Sequence, residues 1–459
     1  MSDSPHIPSP YEGTKLRHSQ HVAISAYWFA TNFLWGALLV IMLPNEMRQL
    51  APYYRVSALG LITAISAVVA LVVPLIVGAL SDRCTSRFGR RRPFIVVGVA
   101  INVIGLLLMA WAFTTATPIP SPAQGVKPGA WETIGVLLGD GGFLRFLMAY
   151  IVVQLGNNIA SAAYSGIIPD LVPEQQRGAA SGYMALMSQA GTLFGGAIVG
   201  TLLSPQPEWV KYTVVAAVLA VIAGVTVGGI KESPLTTKRG ELKWGAYLKS
   251  LWIDPKTYPD FAWVWITRAL VMLGFYSVLP FINYYLLDVI GIEDPDKYAP
   301  ILMGVILIAS SISGIYGGYV SDRIGRKKVV YIANSIIAVM VLAFIFCRSF
   351  PQVLIAGTLF GIGFGAYTSV DWALGTDVLP TKTNAAKEMA IWHVAMTLPQ
   401  SLAAPMATII IESFGKTVSQ KGGEEVIHYT TSGYAAVFAV TAVCFALGAF
   451  YLKNVRGVK

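Results

Sequence analysis

The sequence predicts an all-α membrane protein of twelve transmembrane helices in two pseudo-symmetric six-helix halves. Three observations carry that reading. Of the 459 residues 55% are hydrophobic and only 12% charged, with a mean hydropathy of +0.62, whereas a soluble domain carries about 25% charged residues. The chain also offers twelve apolar windows close to the ~20 residues a helix needs to cross a bilayer. Finally, a short basic loop recurs. Ser81-Asp82-Arg83-Cys84-Thr85-Ser86-Arg87-Phe88-Gly89-Arg90-Arg91-Arg92-Pro93-Phe94-Ile95 lies between two apolar runs, and Ser321-Asp322-Arg323-Ile324-Gly325-Arg326-Lys327-Lys328 lies between two more, with the Asp residues 240 positions apart. Each copy comes after a glycine-bearing helix end (Gly78; Gly317-Gly318). That order of Asp, Gly and Arg, repeated half a chain apart, reads as a duplication.

Residues 1–20 are polar and include Pro5, Pro8 and Pro10, and the apolar run behind them has no small-residue cleavage site, so it is expected to be the first span rather than a signal. Spans are expected at 22–44, 57–80, 93–114, 142–168, 178–203 and 211–230, then at 260–288, 300–320, 328–347, 352–376, 385–412 and 432–452. This divides the chain into an N-terminal half (1–230), a polar linker (231–259) and a C-terminal half (260–459). The linker holds an expected surface helix at Leu242–Leu248, where Lys243 neighbours Trp244 and Tyr247. Span 4 ends Pro169-Asp170-Leu171-Val172-Pro173 and span 10 ends Thr376-Asp377-Val378-Leu379-Pro380, so the duplication extends past the basic loop. The extra length of the first copy falls in a Pro- and Gly-rich loop at 115–141.

Charge placement orients the chain and removes one class of partner. The formal net charge is +9, but Lys and Arg gather in alternate loops (Arg83–Arg92, Arg323–Lys328, Lys238–Lys256), while the loop after span 7 carries Asp288, Glu293, Asp294 and Asp296. This positive-inside pattern expects cytoplasmic termini in an inner or plasma membrane and points to the lipid bilayer rather than nucleic acid as partner. Cys84, Cys347 and Cys444 are scattered and odd in number, which fits free thiols rather than a disulfide framework or metal site.

These residues resemble the major facilitator superfamily, which has a Gly-x-x-x-Asp-Arg-x-Gly-Arg-Lys/Arg-type loop after the second helix of each half. The longer run SDRCTSRFGRRRPFI is similar to that of plant sucrose–proton symporters and related glycoside–cation symporters. Gly156-Asn157-Asn158 resembles an Asn-Asn pair in their fourth span, and Asp170-Leu171 fits its end. The resemblance implies alternating access, a sugar substrate, a coupled proton or sodium ion, a monomer and no cofactor. It also implies that Asp82, Arg83, Arg87, Arg90, Asp322, Arg323 and Arg326 gate the cytoplasmic side, against the plainer reading of positive-inside charge. Free N–H groups and the helix dipole make the start of span 11 near Thr383-Asn384 an expected receptor for Asp82, and the region of Gly178 one for Asp322. One position departs: where those symporters carry a membrane-embedded Asp three residues before the Asn-Asn pair, this chain has Gln154. An amide can bond a hydroxyl but carries no proton.

The resemblance places the substrate cavity among spans 1, 4, 7 and 10, and polar residues inside spans fit it because they are costly elsewhere in a bilayer. Tyr150, Gln154, Asn157, Asn158 and Ser161 share one face of span 4. Span 1 adds Trp28, Asn32 and Trp35, span 7 adds Tyr276, Asn283 and Tyr284, and span 10 adds Tyr367 and Trp372. Amides, hydroxyls and aromatic faces suit an uncharged polyol. Each residue taken singly is as readily an interhelical hydrogen bond or an interface aromatic; the set carries the reading. Arg268, Asp371 and His393 are ionisable groups well inside expected spans and compete for cation coupling. Asp371 has two readings, a proton or sodium site and a structural pair with Arg268; His393 is either a proton carrier or a packing residue.

Gly361-Ile362-Gly363-Phe364-Gly365 imitates a nucleotide loop, but no strand precedes it and it falls within a span; like Gly191, Gly195, Gly196 and Gly200, it is expected to allow close helix packing. No phosphate loop, metal cluster or nucleophile–base motif is apparent, so an enzyme is not expected. Alternatives that stay open are an uncoupled facilitator, an exporter of another small solute, and a sugar sensor that does not transport, against which the short segment after span 12 argues.

Overall fold

The computed structural model describes residues 11, 15–123, 126, 128–173, 176–232, 245, 253–379, 385–421 and 424–456. Over these residues twelve helices are long and apolar enough to cross a membrane: His18–Leu50, Arg55–Ser81, Arg92–Thr114, Gly141–Tyr164, Gly182–Leu202, Glu208–Gly229, Pro259–Asp288, Pro295–Ser321, Arg326–Phe344, Phe350–Asp371, Val394–Gly415 and Thr431–Leu452. In chain order these are spans 1–12. Apart from Gly245, the expected linker helix at Leu242–Leu248 lies outside the described residues.

Local chemistry sets several span ends. Pro93, Pro259, Pro295 and Pro351 stand in the first turn of spans 3, 7, 8 and 10, where the missing amide costs no helical bond. Asp140 caps span 4, its carboxylate accepting from the Phe143 amide at 2.7 Å. Gly325 breaks the chain between spans 8 and 9 with φ +97°, and Gly89 takes φ +100° at the matching place in the first basic loop. Among the described residues only glycines adopt positive φ, so the Gly of each Gly-Arg pair in the repeat answers to backbone geometry.

The spans are not uniformly α-helical. Span 1 passes through a π-helical turn at Leu38–Met42, span 5 ends in another at Ile198–Leu202, and span 7 tightens to a 3-10 turn at Leu279–Phe281 around Pro280. Outside the spans lie a short helix, Ala130–Gly139, within the expected 115–141 loop, a five-residue helix, Ile167–Leu171, after span 4, and an antiparallel hairpin between spans 11 and 12 that pairs Lys416–Lys421 with Glu424–Tyr429.

The described chain divides into two compact units. One comprises 1–38, 68–117 and 138–241; the other comprises 39–67, 118–137 and 242–459. In the first, span 3 packs on spans 4 and 6, and span 1 on spans 5 and 6. The approach is glycine-close: a Cβ at Gly98 would overlap the Ala160 amide, and one at Gly191 or Gly195 would run into the backbone of span 1 at Phe29 or Phe33. In the second, span 10 packs on spans 8 and 9, span 7 on spans 11 and 12, and span 9 on span 12. Here Gly361 and Gly365 meet the backbone of span 8 at Ile306 and Ser310, while Gly363 meets span 9 near Ala333 and Ile337. The Gly-rich run of span 10 is a packing surface. The second unit also includes the end of span 1 and the start of span 2, joined by Tyr53-Tyr54.

Candidate functional site

In the first unit the polar face of span 4 is an internally bonded ladder. The Gln154 amide donates to the Tyr150 hydroxyl at 3.1 Å, and the Asn158 amide donates to the Gln154 side-chain oxygen at 3.2 Å and to its carbonyl at 2.8 Å. Asn157 is buried and turns the other way, its oxygen accepting from Thr31 of span 1 at 2.8 Å. One turn further on, Ser161 meets Tyr27 at 3.3 Å, and Tyr164 donates to the Ile24 carbonyl at 2.6 Å. Of the span 1 candidates, half-buried Asn32 bonds its own helix at Trp28 and Trp35 is half-buried. Gln154 and Asn158 thus present partly exposed amides held in register, while Asn157 is occupied in joining two helices.

In the second unit the intramembrane charges come together. Arg268 of span 7 and Asp371 of span 10 form an ion pair and are 2% and 3% exposed. The Tyr367 hydroxyl donates to the second carboxylate oxygen at 3.0 Å, as expected one helical turn away. The Arg268 guanidinium lies 3.5 Å from the ring centre of Trp392, in the helix Ala385–Gly415 just before span 11, and Gly375 makes room for that indole. Tyr276, the candidate two turns along span 7, packs on Phe275, which stacks on Phe364 at 4.3 Å. A charge pair this far from water persists only when its partners are matched; here an aromatic face and a hydroxyl contribute to the match, while the buried Arg268 Nε has no hydrogen-bond partner among the described residues. Trp392 was not among the sequence candidates; its place beside His393 is the only signal. The His393 and Trp372 side chains lie outside the described residues.

Asn283, grouped with Tyr276 by spacing, is elsewhere. Beyond the 3-10 turn it is fully buried and donates to Asp296 at 2.7 Å, at the end of span 7 opposite the basic loops. Its neighbour Tyr284 donates to the Pro44 carbonyl at 2.9 Å.

At its basic loop each half closes its own charge network. Asp82 pairs with Arg91 at 2.5 Å, and Arg91 also reaches Asp170 at 3.0 Å, with Arg90 on the other Asp170 oxygen at 2.5 Å. Burial works against the Arg91 charge, but Asp170 and Asp82 outweigh it and its pKa stands above the ordinary arginine value. Glu232, just past span 6, accepts from the Arg91 and Arg92 amides at 3.1 and 3.0 Å and so caps span 3. Burial pushes its carboxyl above the usual range. Arg83 bonds the Ala79 carbonyl and Arg87 covers Phe88. In the second half Arg326 pairs with Asp377, the counterpart of Asp170, and Arg323 bonds Tyr319. The expected receptor for Asp82 at Thr383-Asn384 and the side chain of Asp322 lie outside the described residues. Arg91 and Glu232 are members of the network that motif spacing did not single out.

Twelve helices long and apolar enough to span a membrane, a repeated charged loop and intramembrane polar clusters define a polytopic membrane protein. The Major Facilitator Superfamily model matches residues 22–384 and 298–458, and the chain belongs to that superfamily. The fold agrees with solved structures of it: the xylose transporter XylE from E. coli (TM-score 0.64, 15% identity, 96% of each chain) and the nucleoside transporter NupG (0.67, 12%, 95% of this chain and 100% of that one). Among curated proteins the chain is similar to the sucrose transport protein SUC4 of Arabidopsis thaliana, 29% identical over 36% of this chain and 29% of the relative. It is also similar to proton-associated sugar transporter A of Mus musculus (33% identical over 25% and 14%) and to a probable 4-methylmuconolactone transporter of Cupriavidus pinatubonensis (31% over 24% and 26%). Each of these matches spans less than a third of the relative's length.

Proposed function

We propose that this protein is a secondary active carrier that moves a glycoside-type sugar by alternating access, with a proton as the coupled ion and Asp371 as the group that takes it up. The observation that carries the reading is the buried Arg268–Asp371 pair with Tyr367 and Trp392 around it. Protonation of Asp371 would neutralise the carboxyl, free the Arg268 fork to donate to sugar oxygens, and leave the Trp392 ring for a C–H-rich sugar face. The Tyr150–Gln154–Asn158 ladder supplies further donors and acceptors suited to hydroxyls. The names of the sucrose and proton-associated sugar relatives favour the substrate class. Gln154, which lacks a titratable proton, leaves Asp371 as the carboxylate for coupling. The basic loops would lie on the cytoplasmic side, with Asp82, Arg83, Arg87, Arg90, Asp322, Arg323 and Arg326 as the gate there. A second reading, an uncoupled carrier of another small solute, draws on the muconolactone relative and on Arg268, whose guanidinium would also hold an organic anion.

The test is uptake of radiolabelled sucrose and maltose into proteoliposomes with and without an inward proton gradient. Gradient-driven accumulation that Asp371→Asn abolishes is the expected result. Accumulation untouched by that change moves coupling to His393, and equilibration that ignores the gradient indicates a facilitator. No sugar flux in monodisperse protein refutes the sugar assignment.

A further inference from the structure

Three charged contacts at the end opposite the basic loops tie the turn between spans 1 and 2 to helices of the second half, all within the second unit. Arg55 opens span 2 and pairs with Asp288 at the end of span 7, their side chains 10% and 7% exposed. Tyr434 of span 12 donates to the other Asp288 oxygen at 2.6 Å, and the guanidinium lies over the rings of Tyr284 and Tyr429 at 5.3 and 5.2 Å. Arg48, at the end of span 1, meets Asp296 of span 8 at 3.1 Å, the same carboxylate that holds Asn283. Glu412 of span 11 accepts from Ser57 of span 2 at 2.8 Å and from Tyr429 of the hairpin at 2.7 Å, and pairs with Lys416 at 2.8 Å. A turn deeper, Thr408 of span 11 seats against Gly60 of span 2, whose missing Cβ makes the space, and bonds the Val56 carbonyl at 3.4 Å.

We propose that these contacts are the outer gate of the carrier, with the Arg55–Asp288 pair as its bolt. A carrier that alternates must part first-half from second-half segments at one end while joining them at the other; Arg55–Asp288, Arg48–Asp296, Ser57–Glu412 and Gly60–Thr408 make that junction, and the remaining contacts hold their second-half partners in place. Ion pairs and hydroxyl bonds suit it better than apolar packing, because on opening each group passes to water, where it is solvated again. The π-helical turn at Leu38–Met42 stands where span 1 enters the second unit, and such turns interrupt the regular bond ladder. The span 1 end therefore has a built-in place to bend as the bolt is drawn. The inference rests on the carrier reading and on the positive-inside orientation, not on the sugar.

The test reads accessibility and needs no substrate. Thr408→Cys is placed in a background with Cys84→Ser and Cys347→Ser, keeping Cys444, which is 7% exposed on span 12, as a sentinel for unfolding. Right-side-out vesicles are treated with a membrane-impermeant maleimide, and both cysteines are followed by peptide mass mapping. In the parent Thr408→Cys reacts slowly. Arg55→Gln and Asp288→Asn are each expected to speed its reaction at least about tenfold, equivalent to ~1.4 kcal/mol of closed-state preference, with Cys444 still unreactive, while Arg55→Lys stays near the parent. Unchanged Thr408→Cys labelling in both charge-removing variants overturns the proposal, as does acceleration seen only from the face bearing the basic loops. Sucrose uptake in the same vesicles separates the two conclusions: its absence counts against the sugar and leaves the gate to be judged by the labelling.

Discussion

The Arg268–Asp371 pair gives a prediction whose size comes from its burial. Both side chains are at least 96% removed from solvent, and removing one member of such a pair costs about 3–5 kcal/mol because the survivor keeps an uncompensated charge. The two single changes should be unequal. Asp371→Asn strands a guanidinium that does not shed its charge, whereas Arg268→Met leaves a carboxyl that can be neutralised by a proton and keep its Tyr367 bond. Asp371→Asn should therefore lie at the upper end of the range and Arg268→Met at or below the lower end. Removing both charges together, as Arg268→Met with Asp371→Leu, should cost far less than the sum, since an apolar replacement of a buried pair is often nearly neutral. The assay is equilibrium unfolding in mixed micelles arranged as a double-mutant cycle, with a coupling energy of about 3 kcal/mol or more expected. A coupling under about 0.5 kcal/mol, the error of additivity for independent sites, would refute the claim that the charges hold each other. If the double variant folds well and still fails to accumulate sugar against a gradient, the pair also has a role that packing does not replace.

Other consequences are smaller. Tyr367→Phe removes one charged hydrogen bond and should cost about 1.5–3 kcal/mol, read by the same unfolding assay, with a matching loss of gradient-driven uptake. Gly89→Ala and Gly325→Ala each place a Cβ on a backbone with φ near +100°, at about 1–3 kcal/mol. The first should cost more in thermal unfolding, because its Cβ would also overlap Glu232. Burial raises the Glu232 pKa above the ordinary 4.5, so in the window above that value the folded state holds the proton more firmly than the unfolded chain. This group therefore adds stability as pH falls and loses it as pH rises. Glu232→Gln should flatten that slope in a pH series of unfolding midpoints.

Much of this is legible in the sequence because it is local and periodic. Apolar runs of bilayer length show as spans, and the twice-repeated Asp–Gly–Arg order points to the duplicated fold. The Gly in each copy has its reason in the positive φ of Gly89 and Gly325. The span 4 ladder is visible at helical spacing, although spacing alone does not separate Asn158, bonded within its helix, from Asn157, turned toward Thr31. Extending the same period through span 7 groups Asn283 with Tyr276. The 3-10 turn at Leu279–Phe281 advances each residue by about 120° rather than 100° and so rotates Asn283 and Tyr284 away from that face, and Pro280 is the available sign of it. The hairpin leaves a signal too: Val418, Gln420, Val426 and Ile427 flank Gly422-Gly423, a Gly-Gly pair that favours a tight turn.

The charge networks at the basic loops and at the junction of spans 1, 2, 7, 8 and 11 differ in a way that explains why one is readable and the other is not. Asp82–Arg91, Arg91–Asp170 and Arg326–Asp377 join residues of one half, and because the halves are duplicates the pattern shows twice. Arg55–Asp288 and Ser57–Glu412 join residues 233 and 355 positions apart, and among the described residues neither has a counterpart in the other half. Such a pair leaves no periodicity and no repeat, only an Arg near one span end and an Asp near another. The asymmetry is itself informative. In each half a basic-loop arginine holds an aspartate within that half, Arg90 and Arg91 on Asp170 and Arg326 on Asp377, so a contact that distinguishes one state of the carrier from another has to come from what the halves do not share. On that reasoning the unrepeated charges Arg48, Arg55, Asp288, Asp296 and Glu412, rather than the repeated motif alone, set which side of the carrier rests closed, and neutralising them should shift that resting state.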